Sequence, residues 1–244
     1  MTINVLVVNL NNIGFTKDCI DDLLRQNIND FKITLVDQAS TESGTKEYLD
    51  SITDSRVTIV RNEINTPLNH VWNWFSGYAK EDLLCFLNND VRIPSNFIKD
   101  TVDVFKKEET VGIAVHSTNH ILYCNKLDEL KYEVMVHDKH MQGWDYTIRR
   151  DYFTTIPETL RTYCGDDFVF QNVYNANMKL AYIFSSPMIH FEGKSKRYLK
   201  ENGVLDIHKY INMGFKHHLR PNFLYTNIKP TFDKILNDED ISNK

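Results

Sequence analysis

The sequence predicts an α/β fold, a mostly parallel central sheet flanked by helices with a smaller antiparallel C-terminal portion. Three observations predict it. Short apolar runs at 3–9, 31–36, 57–60, 83–87 and 111–115 have the length and composition of strands buried on both faces. Between them, apolar residues return at helical spacing and the connections are short, as in repeated βα units. After residue 116 that rhythm gives way to shorter, mixed elements.

The elements follow in order. The run Ile3 to Asn9 is interrupted by Asn11-Asn12-Ile13-Gly14, and 15–26 then carries Cys19, Ile20, Leu23 and Leu24 on one helical face. The second strand ends in Asp37. The polar stretch Gln38 to Gly44 supplies a turn and an N-cap for a helix through Leu49. A third strand covers 57–60, a helix 68–78, and a fourth strand 83–87 stops at Asn88-Asn89-Asp90. A helix at 97–107 leads to the strand 111–115. Beyond it, 116–136 reads as an inserted hairpin or antiparallel return, 146–156 and 167–178 as helices, 180–184 as a strand and 207–218 as a helix. No repeat or linker divides the chain. The expectation is one domain over 1–228, with halves at 1–115 and 116–228, and a charged tail at 229–244.

The 244 residues are 42% hydrophobic and 25% charged, enough to bury a core and too apolar for disorder. The 28 Lys+Arg against 33 Asp+Glu give a net charge of −5, which argues against a basic coat for nucleic acid. No apolar run approaches the roughly 20 residues of a membrane span, so stable membrane insertion is not expected. The N-terminus has no basic region ahead of its first apolar run and does not read as a secretory leader. Cys19, Cys85, Cys124 and Cys164 lack zinc spacing, which points to a reduced, cytoplasmic location.

Open α/β sheets bind ligands beyond the carboxyl ends of their strands. Three polar clusters fall there: Asn9-Leu10-Asn11, Asp37-Gln38-Ala39-Ser40 and Asn88-Asn89-Asp90. No GxGxxG follows the first strand and no GxxxxGK[ST] occurs. A diphosphate ligand would therefore need a metal or basic side chains to neutralise it.

Together these segments resemble the opening half of a family 2 glycosyltransferase with the GT-A fold. Val5-Leu6-Val7-Val8-Asn9-Leu10-Asn11 is similar to the family's "VVIVNYN", Leu35-Val36-Asp37-Gln38-Ala39-Ser40-Thr41 to "VVDNAST", and Phe86-Leu87-Asn88-Asn89-Asp90-Val91 to "FLNPDV". Further on, Gln142-Gly143-Trp144 with Ile148-Arg149-Arg150-Asp151-Tyr152-Phe153 resembles "G…RRE.F". Gly165-Asp166-Asp167-Phe168 resembles "GEDVD", and Ile189-His190 the late strand-end histidine. The likeness runs from about residue 3 to residue 197.

The resemblance implies transfer of a sugar from a nucleotide-diphosphate sugar, most simply a UDP-hexose, with Mn2+ or Mg2+ as cofactor. Asp90 would be the metal ligand that ends the DxD-type motif, with Asn88 at its first position beside Asn89. His190 would complete the metal site, and Lys194, Lys196 and Arg197 after it would meet the diphosphate. Asp37 would accept a hydrogen bond from a uracil-type base or the ribose, with Asn9 and Ser40 lining the same pocket; an Asx turn is its structural alternative. Asn62, Asn65 and Asn69 lie where the family has its donor loop, although Thr66-Pro67-Leu68 replaces the usual small residues. Asp167 would be the general base, with Asp166 beside it as the alternative. Trp144 is placed to stack on a sugar face or to pack in the core.

The acceptor stays open among glycan, protein, lipid-linked glycan and modified DNA. Two other readings compete: a degenerate GT-A domain that binds nucleotide or glycan without turnover, and a nucleotidyltransferase. The second would want a glycine-rich triphosphate loop that Asn11-Asn12-Ile13-Gly14 does not provide.

Overall fold

The computed structural model describes residues 1–118, 129–135, 142–191 and 213. Within them the first half runs β1 (Ile3–Asn9), α1 (Ile13–Leu24), β2 (Lys32–Gln38), α2 (Thr45–Ser51), β3 (Val57–Asn62), α3 (Leu68–Tyr78) and β4 (Leu83–Leu87). The short β5 (Val91–Arg92), α4 (Phe97–Lys107) and β6 (Val111–Thr118) follow. Then come β7 (Tyr132–Met135), β8 (Asp145–Arg149), α5 (Gly165–Asn175) and β9 (Lys179–His190).

The strands lie in the order β3-β2-β1-β4-β8-β6-β9-β5, with β7 also paired to β9. The β3, β2, β1 and β4 strands are mutually parallel. β8 is antiparallel to both β4 and β6, and β9 is parallel to β6 but antiparallel to β5 and β7. The expected α/β class, with helices on both faces of a mixed sheet, is what the chain adopts.

Strand alternation sorts the core into two layers. Ile3, Val5 and Val7 of β1 meet Cys19, Ile20 and Leu23 of α1 and Phe97 and Phe105 of α4. Leu6 points the other way, toward Trp72 and Phe75 of α3 and Phe168 and Phe170 of α5. At the centre of this second layer Phe86 and Tyr146 stack at 5 Å-scale separation (4.7 Å, 16°), and the edge of Trp72 meets both rings. Such pairs add about 0.5–1.5 kcal/mol each beyond area burial.

Three expectations need correction. The 146–156 segment is not a helix: it is β8 followed by a 3-10 turn at Arg150–Tyr152. Tyr146, Thr147 and Ile148 are all fully buried, and aromatic and β-branched side chains suit a strand walled in on both faces. The helix expected at 167–178 begins earlier, at Gly165, and ends at Asn175. The strand expected at 180–184 extends over twelve residues to His190, because β5, β6 and β7 all pair along it. The helix expected at 207–218, the tail at 229–244, and Lys194, Lys196 and Arg197 lie outside the described residues.

Candidate active site

A cavity of about 540 Å³ opens where β1, β2 and β4 end, the position open α/β sheets reserve for ligands. Leu6, Val8, Trp72 and Phe86 form its apolar floor. Asn11, Asn12, Gln38, Asn65 and Thr66 line one side, Asn88, Asn89 and Asp90 another, and Arg161, Thr162 and Tyr163 close it from the segment before α5. Asn11 and Asn12 both take left-handed backbone conformations (φ 57° and 52°), which asparagine tolerates and which turns the chain sharply from β1 into α1.

Asp37 does not face this cavity. Its register partner on β1 is Asn9, so both side chains project toward α1, and the neighbouring Gln38 takes the cavity side. Asn9 Nδ2 donates to Asp37 Oδ1 at 2.7 Å and to Ser40 Oγ at 3.0 Å. Thr16 Oγ1 donates to Asn9 Oδ1 at 2.7 Å and accepts from Asn89 Nδ2 at 2.9 Å. Asn9, Asp37 and Ser40 are thus parts of a polar chain beneath the floor that ends on Asn89, and not direct lining residues. Thr16, which no sequence motif marks, is its central link. Asn62 and Asn69 likewise spend their side chains on bonds within the chain. Asn62 Nδ2 donates to Gln38 Oε1, and the fully buried Asn69 holds the carbonyls of Leu160 and Tyr163.

The second group of expected residues does converge. β5 and β9 pair through Val91 and His190, and Phe191 N–H donates to the Asp90 carbonyl at 2.9 Å. This pairing places His190 Nε2 3.4 Å from Asp90 Oδ1, with the two side chains 12% and 15% exposed. Trp144 stacks flat on the His190 ring, 5.1 Å between centroids, and its carbonyl accepts from Asn88 N–H at 2.9 Å. One residue away, Gly143 lies close against the Asp166 carboxylate: a Cβ there would be 2.5 Å from Asp166 Oδ2.

Asp166 and Asp167 occupy the first turn of α5, where the backbone N–H groups favour negative charge. The turn is set by Cys164, whose backbone is left-handed (φ 59°) immediately before it, an arrangement uncommon for a residue with a side chain. Burial dominates the electrostatics of the pair. It pushes the Asp166 carboxyl up against the pull of its own and the Asp167 backbone N–H groups. It pushes Asp167 up to about 8, with the Asp166 charge adding to the effect.

A carboxylate and an imidazole that meet in a half-open position suit a hard divalent cation, whose other ligands would be phosphate oxygens and water. Among the described residues no cluster of three or more His, Cys, Asp or Glu side chains is arranged to hold a metal by itself. The Asp90–His190 pair therefore fits a cation shared with a ligand and does not fit a closed structural site. No helix among the described residues is long and apolar enough to cross a membrane.

The family model described as glycosyl transferase family 2 matches residues 4–170. Among curated proteins no sequence relative matches. Solved structures similar to the chain include S. aureus TarS 1-349, at TM-score 0.61 and 13% identity over 97% of this chain and 79% of that one. GalNAc-T7, crystallised with UDP, GalNAc and Mn2+, gives 0.64 and 17% over 82% of this chain and 48% of that one. The mannosyltransferase PcManGT from Pyrobaculum calidifontis, in complex with GDP-Man and Mn2+, gives 0.60 and 14% over 91% and 66%. With its α/β sheet, its strand-end cavity and a family match across most of its length, the chain belongs to glycosyl transferase family 2 and is a glycosyltransferase with the GT-A fold.

Proposed function

We propose that the protein is a metal-dependent inverting glycosyltransferase that moves a sugar from a nucleotide-diphosphate sugar, most simply a UDP-hexose, to an acceptor hydroxyl. The observation that carries this reading is the meeting of Asp90 and His190 at the cavity edge, with Trp144 stacked on His190 and its neighbour Gly143 close against the Asp166 carboxylate. Similar structures were solved with UDP-GlcNAc, with UDP and Mn2+, and with GDP-Man and Mn2+, which supports the donor class. On this reading residues 1–115 form the donor half and 116–228 the acceptor half of one domain.

The donor's nucleotide would lie over Leu6, Val8, Phe86 and Trp72, with the amides of the strand-end loops around it. Asp90 and His190 would hold Mn2+ or Mg2+ at the diphosphate, with the Asn88 amide beside them. When bound, that cation supplies positive charge to the departing diphosphate. Gln38 takes the position expected of Asp37. Its Oε1 accepts from Thr66 N–H and Asn62 Nδ2 and its Nε2 donates to the Thr66 carbonyl, so it shapes the cavity wall by holding the donor loop.

The acceptor hydroxyl would attack the anomeric carbon as the bond from that carbon to the diphosphate oxygen breaks, the bonding pair leaving with the diphosphate. A carboxylate of the Asp166–Asp167 pair takes the hydroxyl proton. We assign Asp167 as the base and Asp166 as its partner on their positions in the motif; burial raises both carboxyls, toward the pH range in which proton transfer is most effective. Lys194, Lys196 and Arg197 remain assigned to the diphosphate on their motif position.

The test is calorimetric titration with UDP, GDP, CDP and dTDP, each with and without Mn2+. Metal-dependent binding of one nucleotide, lost in Asp90→Ala, is expected. A folded wild-type protein that binds none of them would instead favour a domain that keeps the family's shape without its donor chemistry.

A further inference from the structure

The described lining of the cavity contains one carboxylate, Asp90, and one cation, Arg161; its other polar side chains are amides and hydroxyls. A nucleoside diphosphate brings several negative charges into this space. Neutral amides orient such a ligand, but they do not offset its charge.

Arg161 is exposed, yet its backbone is held in place by buried contacts. Its carbonyl accepts from Asn69 N–H at 3.0 Å. Asn69 Nδ2 donates to the carbonyls on either side, Leu160 at 3.1 Å and Tyr163 at 3.2 Å. One turn further along α3, Asn73 exchanges two hydrogen bonds with the backbone of Ile156, each 2.8 Å. The segment carrying Arg161 is therefore laced to one side of α3. Its root is positioned at the cavity wall before any ligand arrives, which lowers the ordering cost of binding. A guanidinium offers a planar fork of donors that matches two phosphate oxygens.

We infer that Arg161 is a phosphate-binding side chain of the donor cavity, and that Asn69 is the positioning residue that holds its backbone there. The inference rests on the nucleotide-sugar reading proposed above. It gives the fully buried Asn69 a part in donor binding without contact to the donor. It also places a phosphate-binding cation on the wall formed by the segment before α5.

The test is titration with the nucleoside diphosphate that binds best among UDP, GDP, CDP and dTDP in Mn2+, and with its own nucleoside. Arg161→Gln is expected to weaken the diphosphate about 10- to 100-fold, the scale of a charge-assisted hydrogen-bonded contact. Binding of the nucleoside should stay unchanged, and Arg161→Lys should fall between the two. Asn69→Ala should weaken the diphosphate as well, and the double variant should bind no more weakly than Arg161→Gln alone. Because Arg161 is exposed, its two variants decide the question even where Asn69→Ala does not fold. Unchanged diphosphate affinity in Arg161→Gln, or equal loss for nucleoside and diphosphate, overturns the inference while leaving the donor reading intact. A wild-type protein that binds no nucleotide overturns the donor reading and the inference with it.

Discussion

Trp144 stacks on His190 with 16° between the ring planes, and the same tryptophan's carbonyl holds the backbone N–H of Asn88. One residue on the loop before β8 therefore braces both the end of β4 and the end of β9, from which Asp90 and His190 approach one another. Groups that orient a metal ligand are worth about 10- to 100-fold in metal affinity. Trp144→Ala should raise the Mn2+ concentration needed for nucleotide binding by that factor, whereas Trp144→Phe, which keeps a stacking ring, should lose much less. Titration of Mn2+ at fixed nucleotide measures both.

His190→Ala removes one of the two side chains proposed to hold the cation but leaves β9 paired. Nucleotide binding in excess Mn2+ should persist and require at least about tenfold more metal. The same affinity for Mn2+ in variant and wild type would remove His190 from the site.

The raised carboxyl pKa of Asp167 has two consequences with opposite signs. A base must be deprotonated, so kcat/KM should rise with pH through the neutral range toward a plateau above about 8. Asp166→Asn removes the neighbouring charge that helps to raise Asp167, and should shift that limb to lower pH. Stability runs the other way. The fold disfavours the ionised form, so the protein loses stability as pH rises from the unfolded carboxyl value near 3.9 through the folded one. Asp167→Asn should therefore melt higher than wild type at pH 8 by at least about 1 kcal/mol, roughly 2–4 °C, with little difference at pH 4. Thermal melts in a chelator at the two pH values isolate this effect from metal binding.

Gly165 has no room for a side chain, because a Cβ there would land on the buried Oδ1 of Asn69. Gly165→Ala should force α5 away from α3 and cost about 1–3 kcal/mol, read as a fall in Tm. Gly77, with nothing near its Cβ position, serves as the control: Gly77→Ala should leave Tm the same or slightly higher.

Thr16 Oγ1 joins Asn9 to Asn89 in the polar chain beneath the cavity floor. Thr16→Val keeps the volume and deletes both hydrogen bonds, stranding a buried acceptor and a partly buried donor. The expected loss is about 1–3 kcal/mol for each stranded group, measured by denaturant unfolding. Thr16→Ser, which keeps the hydroxyl, should recover most of it.

The α/β class, the strands that begin the chain and the order of the motifs are legible in the sequence alone. Those features depend on local properties: continuous aliphatic runs such as Ile3 to Val8, helical spacing in α1, and polar residues where strands stop. The Asn88-Asn89-Asp90 cluster was legible for the same reason, since a strand end is a local feature.

Which face each side chain takes follows from long-range pairing. Asp37 and Gln38 are adjacent and both buried, so alternation of hydrophobicity cannot tell which one faces α1 and which the cavity; the pairing of Asp37 with Asn9 does. The sequence pattern of 146–156 suggests a helix, but a strand covered on both faces loses its two-residue period, and only the pairing with β4 and β6 specifies β8. Arg161 and Asn69 are 92 positions apart and carry no shared local pattern. Their backbone hydrogen bond exists because the packing of α3 and α5 on one side of the sheet brings the segment before α5 across the start of α3. Local chemistry supplied the candidate groups, and long-range pairing, invisible to any short window of sequence, chose which of them meet.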